Sequence, residues 1–247
     1  DEINGVEIVR QVIARKINKP KTGTTICIPI LNIFGFLNAD RTFPDGRDLN
    51  RVFPGTKTGS LASRVAYHFT KEILPFADYC LDFHTGGAQR FNAAQIRIAP
   101  NNQALLKLSS VFNAPFTVFS GNVSKSYRST CNNMGIPILL FEGGKSLSSN
   151  KYIVKEGVDG VLRVLDHLNM LTPDFELPKK GTKLESLSLS SDIDKDLLNL
   201  SPFKTRLEID ESKAHPALDH KDIVKQIKAQ HYAVHGAKIS INLTVAD

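Results

Sequence analysis

The first 170 residues alternate between segments with helical and with strand-like spacing of apolar positions. Apolar residues recur at helical spacing from Val6 to Ile17, which predicts a helix that ends at Asn18 and Pro20. The same patterns predict further helices over 61–74, 103–112, 125–134 and 152–168, and strands over 24–31, 79–83, 94–98, 116–119 and 136–141. This order predicts an α/β fold with a mainly parallel, mixed sheet flanked by helices.

The pattern changes after residue 171. Residues 172–202 are rich in Ser, Lys, Asp and Leu, which predicts a linker or a loosely ordered stretch. The segments 203–209, 221–231 and 238–245 then predict a strand, a helix and a strand. We therefore predict a main domain over 1–171, a linker over 172–202 and a small C-terminal α+β segment over 203–247.

Composition excludes several classes of protein. With 247 residues, of which 41% are hydrophobic and 23% charged, the chain is globular and can bury one sizeable core. No apolar run approaches the ~20 residues of a membrane span, so we expect no membrane partner. The three cysteines include no CxxC pair and indicate reduced thiols in a cytoplasmic protein. Since the chain begins at Asp1 and not at Met, the sequence leaves open whether a segment such as a cleaved signal peptide precedes it.

Positive charge is concentrated in the first part of the chain. Residues 171–247 hold 11 Lys and Arg against 12 Asp and Glu, a net charge of −1. Since the whole chain has a net charge of +6, the first 170 residues carry a net charge of +7. A positive field favours anionic partners such as a carboxylate substrate. The basic residues are dispersed and have no interleaved aromatic residues, which argues against nucleic acid. A merely soluble surface is the alternative interpretation.

Two polar residues follow apolar strands and precede paired glycines. They are His84 and Glu142, and both are expected beyond the carboxyl ends of their strands, where open α/β sheets bind ligands. Asp82 lies two positions before His84 and therefore on the same face, where its carboxylate can orient the imidazole. For each residue the alternative is a hydrogen-bonded polar group without a catalytic role.

A loop between residues 38 and 59 carries a third polar cluster. A guanidinium binds a carboxylate through two parallel hydrogen bonds, and Asn50 beside Arg51 adds directional bonds. A buried Asp48 can hold one arginine in place. The loop therefore predicts a carboxylate clamp, with a solvated turn as the alternative.

Four motifs occur in the order expected of one family. They are Asp1-Glu2-Ile3-Asn4-Gly5, Asp48-Leu49-Asn50-Arg51 with Phe53-Pro54-Gly55, Asp82-Phe83-His84-Thr85-Gly86 and Phe141-Glu142-Gly143-Gly144. In these motifs residues 1–170 resemble the succinylglutamate desuccinylase/aspartoacylase family, deacylase relatives of the zinc carboxypeptidases. The resemblance implies a zinc-carboxypeptidase-like fold and a zinc hydrolase as the main domain.

The resemblance also implies one zinc ion, held by a His-x-x-Glu motif and a later His. It assigns Glu2 and His84 as two of the ligands. The remaining ligand, a His, is expected three residues before Glu2 and hence upstream of Asp1. Two imidazoles and a carboxylate leave a fourth zinc position open, as in catalytic sites.

The resemblance further implies roles for the other polar residues. Glu142 would be the general base and acid, which carries a proton from water to the leaving amine. Arg51 and Asn50 would bind the substrate's carboxylate or polarise its carbonyl. Arg41 and Arg128 match further substrate-binding arginines of the family.

The sequence thus predicts zinc-dependent hydrolysis of an amide bond in a small N-acyl amino acid or a related carboxylate-bearing substrate. One alternative is a metallocarboxypeptidase that acts on peptide C-termini. Another is a degenerate, non-catalytic protein that binds anions. The tail departs from the family, whose small C-terminal domain is rich in β-structure, and its histidines favour a surface role. These are His215, His220, His231 and His235.

Overall fold

The computed structural model describes residues 1–87 and 91–179 in full, and the backbone alone of residues 184–189 and 241–245. The helices are α1 (Ile3–Ala14), α2 (Ile33–Asn38), α3 (Leu61–Glu72), α4 (Gln103–Phe112), α5 (Tyr127–Asn133) and α6 (Lys151–His167), with short 3₁₀ helices at Leu49–Arg51 and Leu74–Phe76. The strands are β1 (Cys80–Gly86), β2 (Asn92–Ile98), β3 (Phe116–Phe119), β4 (Ile138–Lys145), β5 (Leu184–Leu189) and β6 (Ile241–Val245).

The strands form one mixed sheet in the order β1-β4-β2-β3-β5-β6. Parallel pairs join β1 to β4, β2 to β3 and β3 to β5, whereas β2 pairs antiparallel with β4 and β5 with β6. In this register Glu142 on β4 lies opposite His84 on β1 and opposite Gln95 on β2. The predicted α/β fold, with a mixed sheet flanked by helices, is confirmed.

The two faces of the sheet carry different side chains. On one face Ile96, Leu139 and Phe141 are buried against α1, α4 and α6 and form the main core. Because side chains alternate along a strand, Glu142 lies on the opposite face from Phe141. A second cluster, which includes Cys131 of α5 and Ile138 of β4, covers part of that opposite face. The polar residues of the site therefore share one side of the sheet with α5.

Most of the predicted elements agree with the structure to within a few residues. Two strands, however, run beyond their predicted ends. Strand β1 continues to Gly86 and β4 to Lys145, so His84 and Glu142 lie within their strands and not after them. Their side chains are consequently fixed by the ladder between β1 and β4.

The strand predicted over 24–31 is wrong. This segment contains no strand in the structure, and Ile26 in its middle is 52% exposed. Pro29 offers no backbone donor, and the segment lies beside a cavity of about 890 Å³ that β1 and α1 also line. An apolar, β-branched run forms a strand only where a neighbouring strand completes its hydrogen bonds, and no described strand pairs with this segment.

The tail contributes two strands to the same sheet. Strand β5 lies inside the stretch predicted as a linker and pairs with β3, and β6 lies inside the strand predicted over 238–245. The strand predicted over 203–209, the helix over 221–231 and the four tail histidines lie outside the described residues. The domain boundaries stay a prediction. In the part of the chain that the structure describes, no helix is both long enough and apolar enough to cross a membrane.

Candidate active site

Glu2 and His84 meet where α1 begins beside the carboxyl end of β1. Oε2 of Glu2 lies 3.0 Å from Nδ1 of His84, and Oδ2 of Asp82 lies 2.9 Å from Nε2 of the same ring. Gly5 allows this approach, because a Cβ at this position would lie only 2.7 Å from the Phe83 carbonyl oxygen. Both imidazole nitrogens therefore face a carboxylate, and Asp82 fixes the orientation of the ring.

Opposite charges dominate the titration of this pair, although burial opposes them. Burial raises the pKa of Glu2, but His84 and then Arg41 outweigh it and lower that pKa to about 2. Burial likewise lowers the pKa of His84, and the carboxylates of Asp82 and Glu2 raise it well above the ordinary value. Without a metal ion, the imidazole is thus held in its charged form between two carboxylates.

The donor atoms of Glu2 and His84 are of the type that zinc binds. Zinc takes carboxylate oxygen and imidazole nitrogen, and a carboxylate such as Asp82 behind the imidazole is the usual partner of a ligating histidine. Among the described residues, no group of three or more His, Cys, Asp and Glu side chains is arranged to hold a metal ion. Of the three ligands that the sequence predicts, the described residues include Glu2 and His84, and the structure brings these two side chains into contact.

Arg41 links Glu2 to the loop that carries Asp48. Its Nη1 donates to Oε1 of Glu2 at 2.9 Å, and its Nε donates to Oδ2 of Asp48 at 2.8 Å. Asp48 also caps the following 3₁₀ helix, because its Oδ1 accepts a hydrogen bond from the Asn50 amide at 2.8 Å. Arg41 was predicted as a substrate-binding residue, and the structure places its guanidinium between two carboxylates of the protein.

Arg51 is the more available arginine of the loop. Its side chain is 43% exposed and lies 4.0 Å from Asp48, while its Nη1 donates to the Asn50 carbonyl oxygen at 2.7 Å. Asp48 therefore holds Arg41 more closely than Arg51. The Asn50 side chain is occupied, because its Oδ1 accepts from the Tyr127 amide at 2.8 Å and so ties the loop to α5.

Glu142 is buried in the middle of the sheet. Its Oε1 accepts a hydrogen bond from Nδ2 of Asn92 at 2.7 Å, and its Oε2 lies 2.8 Å from Nε of Arg97 in an ion pair. The sequence prediction missed both partners. The sequence pattern that indicates Arg97 is the alternation of polar and apolar residues along β2. Gln95 and Arg97 alternate with Ala94, Ile96 and Ile98, so the two polar side chains share one face of the strand.

Arg128 enters the same side of the sheet from α5 and is buried. Its guanidinium donates to Oγ of Ser120 at 3.1 Å and to the Gly121 carbonyl oxygen at 2.6 Å. Burial, followed by the positive charge of Arg97, lowers the pKa of Arg128 to about 10. Arg97 and Arg128 together form the positively charged side of the site.

The predicted site residues thus gather around one group of side chains, here called the first group. The first group lines the cavity described above and consists of Glu2, Arg41, Asp48, Asn50, Asp82 and His84. Glu142 joins it through the β1–β4 register, with Arg128 nearby. Arg51 adjoins the first group through Asp48 and Asn50.

Comparison with known proteins gives a family match and several solved relatives. The model of the succinylglutamate desuccinylase/aspartoacylase catalytic domain matches residues 1–168. The chain is 26% identical over 189 residues to an N-alpha-acetyl-L-2,4-diaminobutyric acid deacetylase of Halomonas elongata, which covers 72% of this chain and 54% of the relative.

Solved structures agree with this match. The product-bound ectoine utilization protein EutE (DoeB) of Ruegeria pomeroyi is 27% identical with a TM-score of 0.65, covering 72% of this chain and 57% of that one. A succinylglutamate desuccinylase/aspartoacylase of Rhodobacter sphaeroides is 28% identical with a TM-score of 0.65, covering 73% and 55%. The chain therefore spans little more than half the length of these relatives.

Proposed function

The chain belongs to the succinylglutamate desuccinylase/aspartoacylase family, and from this premise we propose that it is a zinc-dependent hydrolase. The proposed reaction is cleavage of the amide bond in a small N-acyl amino acid or a related carboxylate-bearing substrate. The observation that carries the proposal is the contact between Glu2 and His84 beside β1, with Asp82 behind the imidazole.

The relatives support the type of reaction. The Halomonas elongata relative is by its name a deacetylase of an N-acetylated amino acid. A substrate of that kind carries a carboxylate, which suits the excess of positive charge in the first 170 residues. The three cysteines are free thiols, which supports a reducing, cytoplasmic location.

We propose that Glu2 and His84 hold the zinc ion together with a His upstream of Asp1. A zinc ion bound there supplies a Lewis acid that polarises a carbonyl group and lowers the pKa of water. The protein's own contribution is orientation. Asp82 fixes the ring of His84, and Arg41 holds the carboxylate of Glu2 from its other oxygen.

The remaining site residues act on the substrate and on protons. Glu142 takes the proton from the attacking water and passes it to the leaving amine. Arg51 binds the substrate's carboxylate, since its guanidinium is half-exposed and only loosely paired. Asn50 fixes the loop that carries Arg51, and Arg128 adds positive charge toward the substrate's carboxylate or carbonyl oxygen.

The function is tested on the purified protein incubated with zinc, with metal content and amine release measured together. We expect one zinc ion per chain, hydrolysis of N-acyl amino acids, and loss of both in His84→Ala. Hydrolysis of peptides, with rates that depend on peptide length, would indicate a carboxypeptidase instead. A protein that binds anions but neither zinc nor these substrates would indicate a non-catalytic relative.

A further inference from the structure

The carboxylate of Glu142 is held from the neighbouring strand at both of its oxygens. Asn92 of β2 donates to Oε1 at 2.7 Å, and Arg97 of β2 pairs with Oε2 at 2.8 Å. The side chains of Arg97 and Glu142 are 12% and 5% exposed, so water screens this ion pair little.

The strand register produces this arrangement. In the antiparallel pair, Gln95 lies opposite Glu142, Arg97 opposite Leu140 and Asn92 opposite Gly144. Arg97 therefore reaches Glu142 diagonally, from two residues beyond its direct neighbour. The register shifts between Asn92 and Gln95, and across this irregularity the Asn92 side chain reaches the same carboxylate. Both contacts come from residues of β2, so the pairing of β2 with β4 directs the carboxylate.

The two contacts differ in kind. Asn92 donates a hydrogen bond to Oε1, whereas Arg97 faces Oε2 as the partner of an ion pair. A buried carboxylate without a partner is costly, and the Arg97 guanidinium offsets that cost. Arg97 thus stabilises the charge of Glu142 and holds its carboxylate from β2.

We propose that Arg97 is a positioning residue for Glu142 in the hydrolysis reaction. The inference rests on the proposed function, in which Glu142 carries the proton. Arg97 does not contact the substrate; it acts by holding the carboxylate where it can reach the attacking water. Removal of such a supporting contact typically costs about 10- to 100-fold in activity, and a displacement of about 1 Å of a catalytic group has a similar effect.

The experiment compares Arg97→Met and Arg97→Lys with a control, Arg163→Met. Arg163 of α6 is an equally buried arginine on the other face of the sheet, where its Nη1 donates to the Phe112 carbonyl oxygen at 2.9 Å. We expect kcat to fall roughly 10- to 100-fold in Arg97→Met with KM within about twofold. Arg97→Lys keeps the charge and should recover part of the loss, and Arg163→Met should keep the native kcat.

Three outcomes would overturn the inference. A raised KM with native kcat would make Arg97 a substrate-binding residue. An equal fall of kcat in Arg163→Met would show that the loss comes from general destabilisation of the protein. A native kcat in Arg97→Met would show that Glu142 does not need Arg97.

A measurement without substrate separates this inference from the proposed function. The losses of unfolding free energy in Arg97→Met and Glu142→Gln should not add in the double variant, since both break one contact. Losses of unfolding free energy that add in the double variant would contradict an energetic coupling between Arg97 and Glu142. A native protein that hydrolyses no N-acyl amino acid would contradict the proposed function, whatever the coupling.

Discussion

The loop arginines should separate into one that binds substrate and one that supports the protein. Arg51 is half-exposed and lies 4.0 Å from Asp48, whereas Arg41 is paired with Glu2 at 2.9 Å and with Asp48 at 2.8 Å. We therefore expect Arg51→Ala to reduce catalysis with little effect on stability. Arg41→Ala should reduce stability as well, because it removes the nearest cation of Asp48 and one of the two cations beside Glu2.

The magnitudes follow from these contacts. An exposed ion pair contributes about 0–1 kcal/mol, so the unfolding free energy of Arg51→Ala should stay within ~1 kcal/mol of the native value. A hydrogen bond to a charged group contributes about 1.5–3 kcal/mol, which is roughly a 10- to 150-fold change in kcat/KM. This loss applies only to substrates that carry the carboxylate.

The assay is kcat/KM for an N-acyl amino acid and for its carboxamide, on the native protein, Arg51→Ala and Arg51→Lys. The native protein should prefer the acid, and Arg51→Ala should lose most of that preference. Arg51→Lys should lose much of it too, because an ammonium group cannot form the two parallel bonds of a guanidinium. An acid-to-amide ratio that is equal in the native and Arg51→Ala proteins would refute the reasoning and direct the search to Arg128.

Three further changes test the site. Glu142→Gln should lower kcat by ~10²–10⁴-fold at unchanged zinc content, and loss of zinc would show instead that Glu142 is a ligand. In metal-free protein, the depressed pKa of Glu2 stabilises the fold above pH 4.5 and the raised pKa of His84 stabilises it fully below pH 6.5. The melting temperature, measured against pH in the presence of a chelator, should therefore be highest between these two pH values. His84→Ala should make this pH dependence weaker. Gln95→Met should raise the unfolding free energy by about 1 kcal/mol, since the buried amide of Gln95 has no hydrogen-bond partner among the described residues; a lower unfolding free energy would mean that this amide is hydrogen-bonded in solution.

Local patterns predicted the elements that form the centre of the fold. The apolar run before Glu142 was long enough for a strand, and β4 is the central partner of both β1 and β2. The helical spacing after Asn150 was equally clear, and α6 begins where the Asn150 side chain caps it. Such elements carry their burial pattern within a dozen residues, so the sequence alone indicates them.

The errors concern interactions between distant residues. The segment 24–31 has the composition of a strand, but a strand exists only with a partner, and no local pattern names that partner. The pairing of Arg97 with Glu142 depends on the antiparallel register of β2 on β4, which the sequence does not state. The alternation in β2 showed that Gln95 and Arg97 share a face, without showing which carboxylate lies there.

The outer position of β1 in the sheet has a consequence for amide hydrogen exchange. The Cys80 amide donates to the Pro137 carbonyl oxygen, so in this parallel pair the amides of Cys80, Asp82 and His84 point toward β4. Those of Leu81 and Phe83 point the other way, toward an edge at which no described strand pairs. Deuterium should therefore enter β1 at alternate residues, quickly at Leu81 and Phe83 and slowly at their neighbours. Slow exchange at all five would reveal a further strand beside His84, detected without a substrate or a metal.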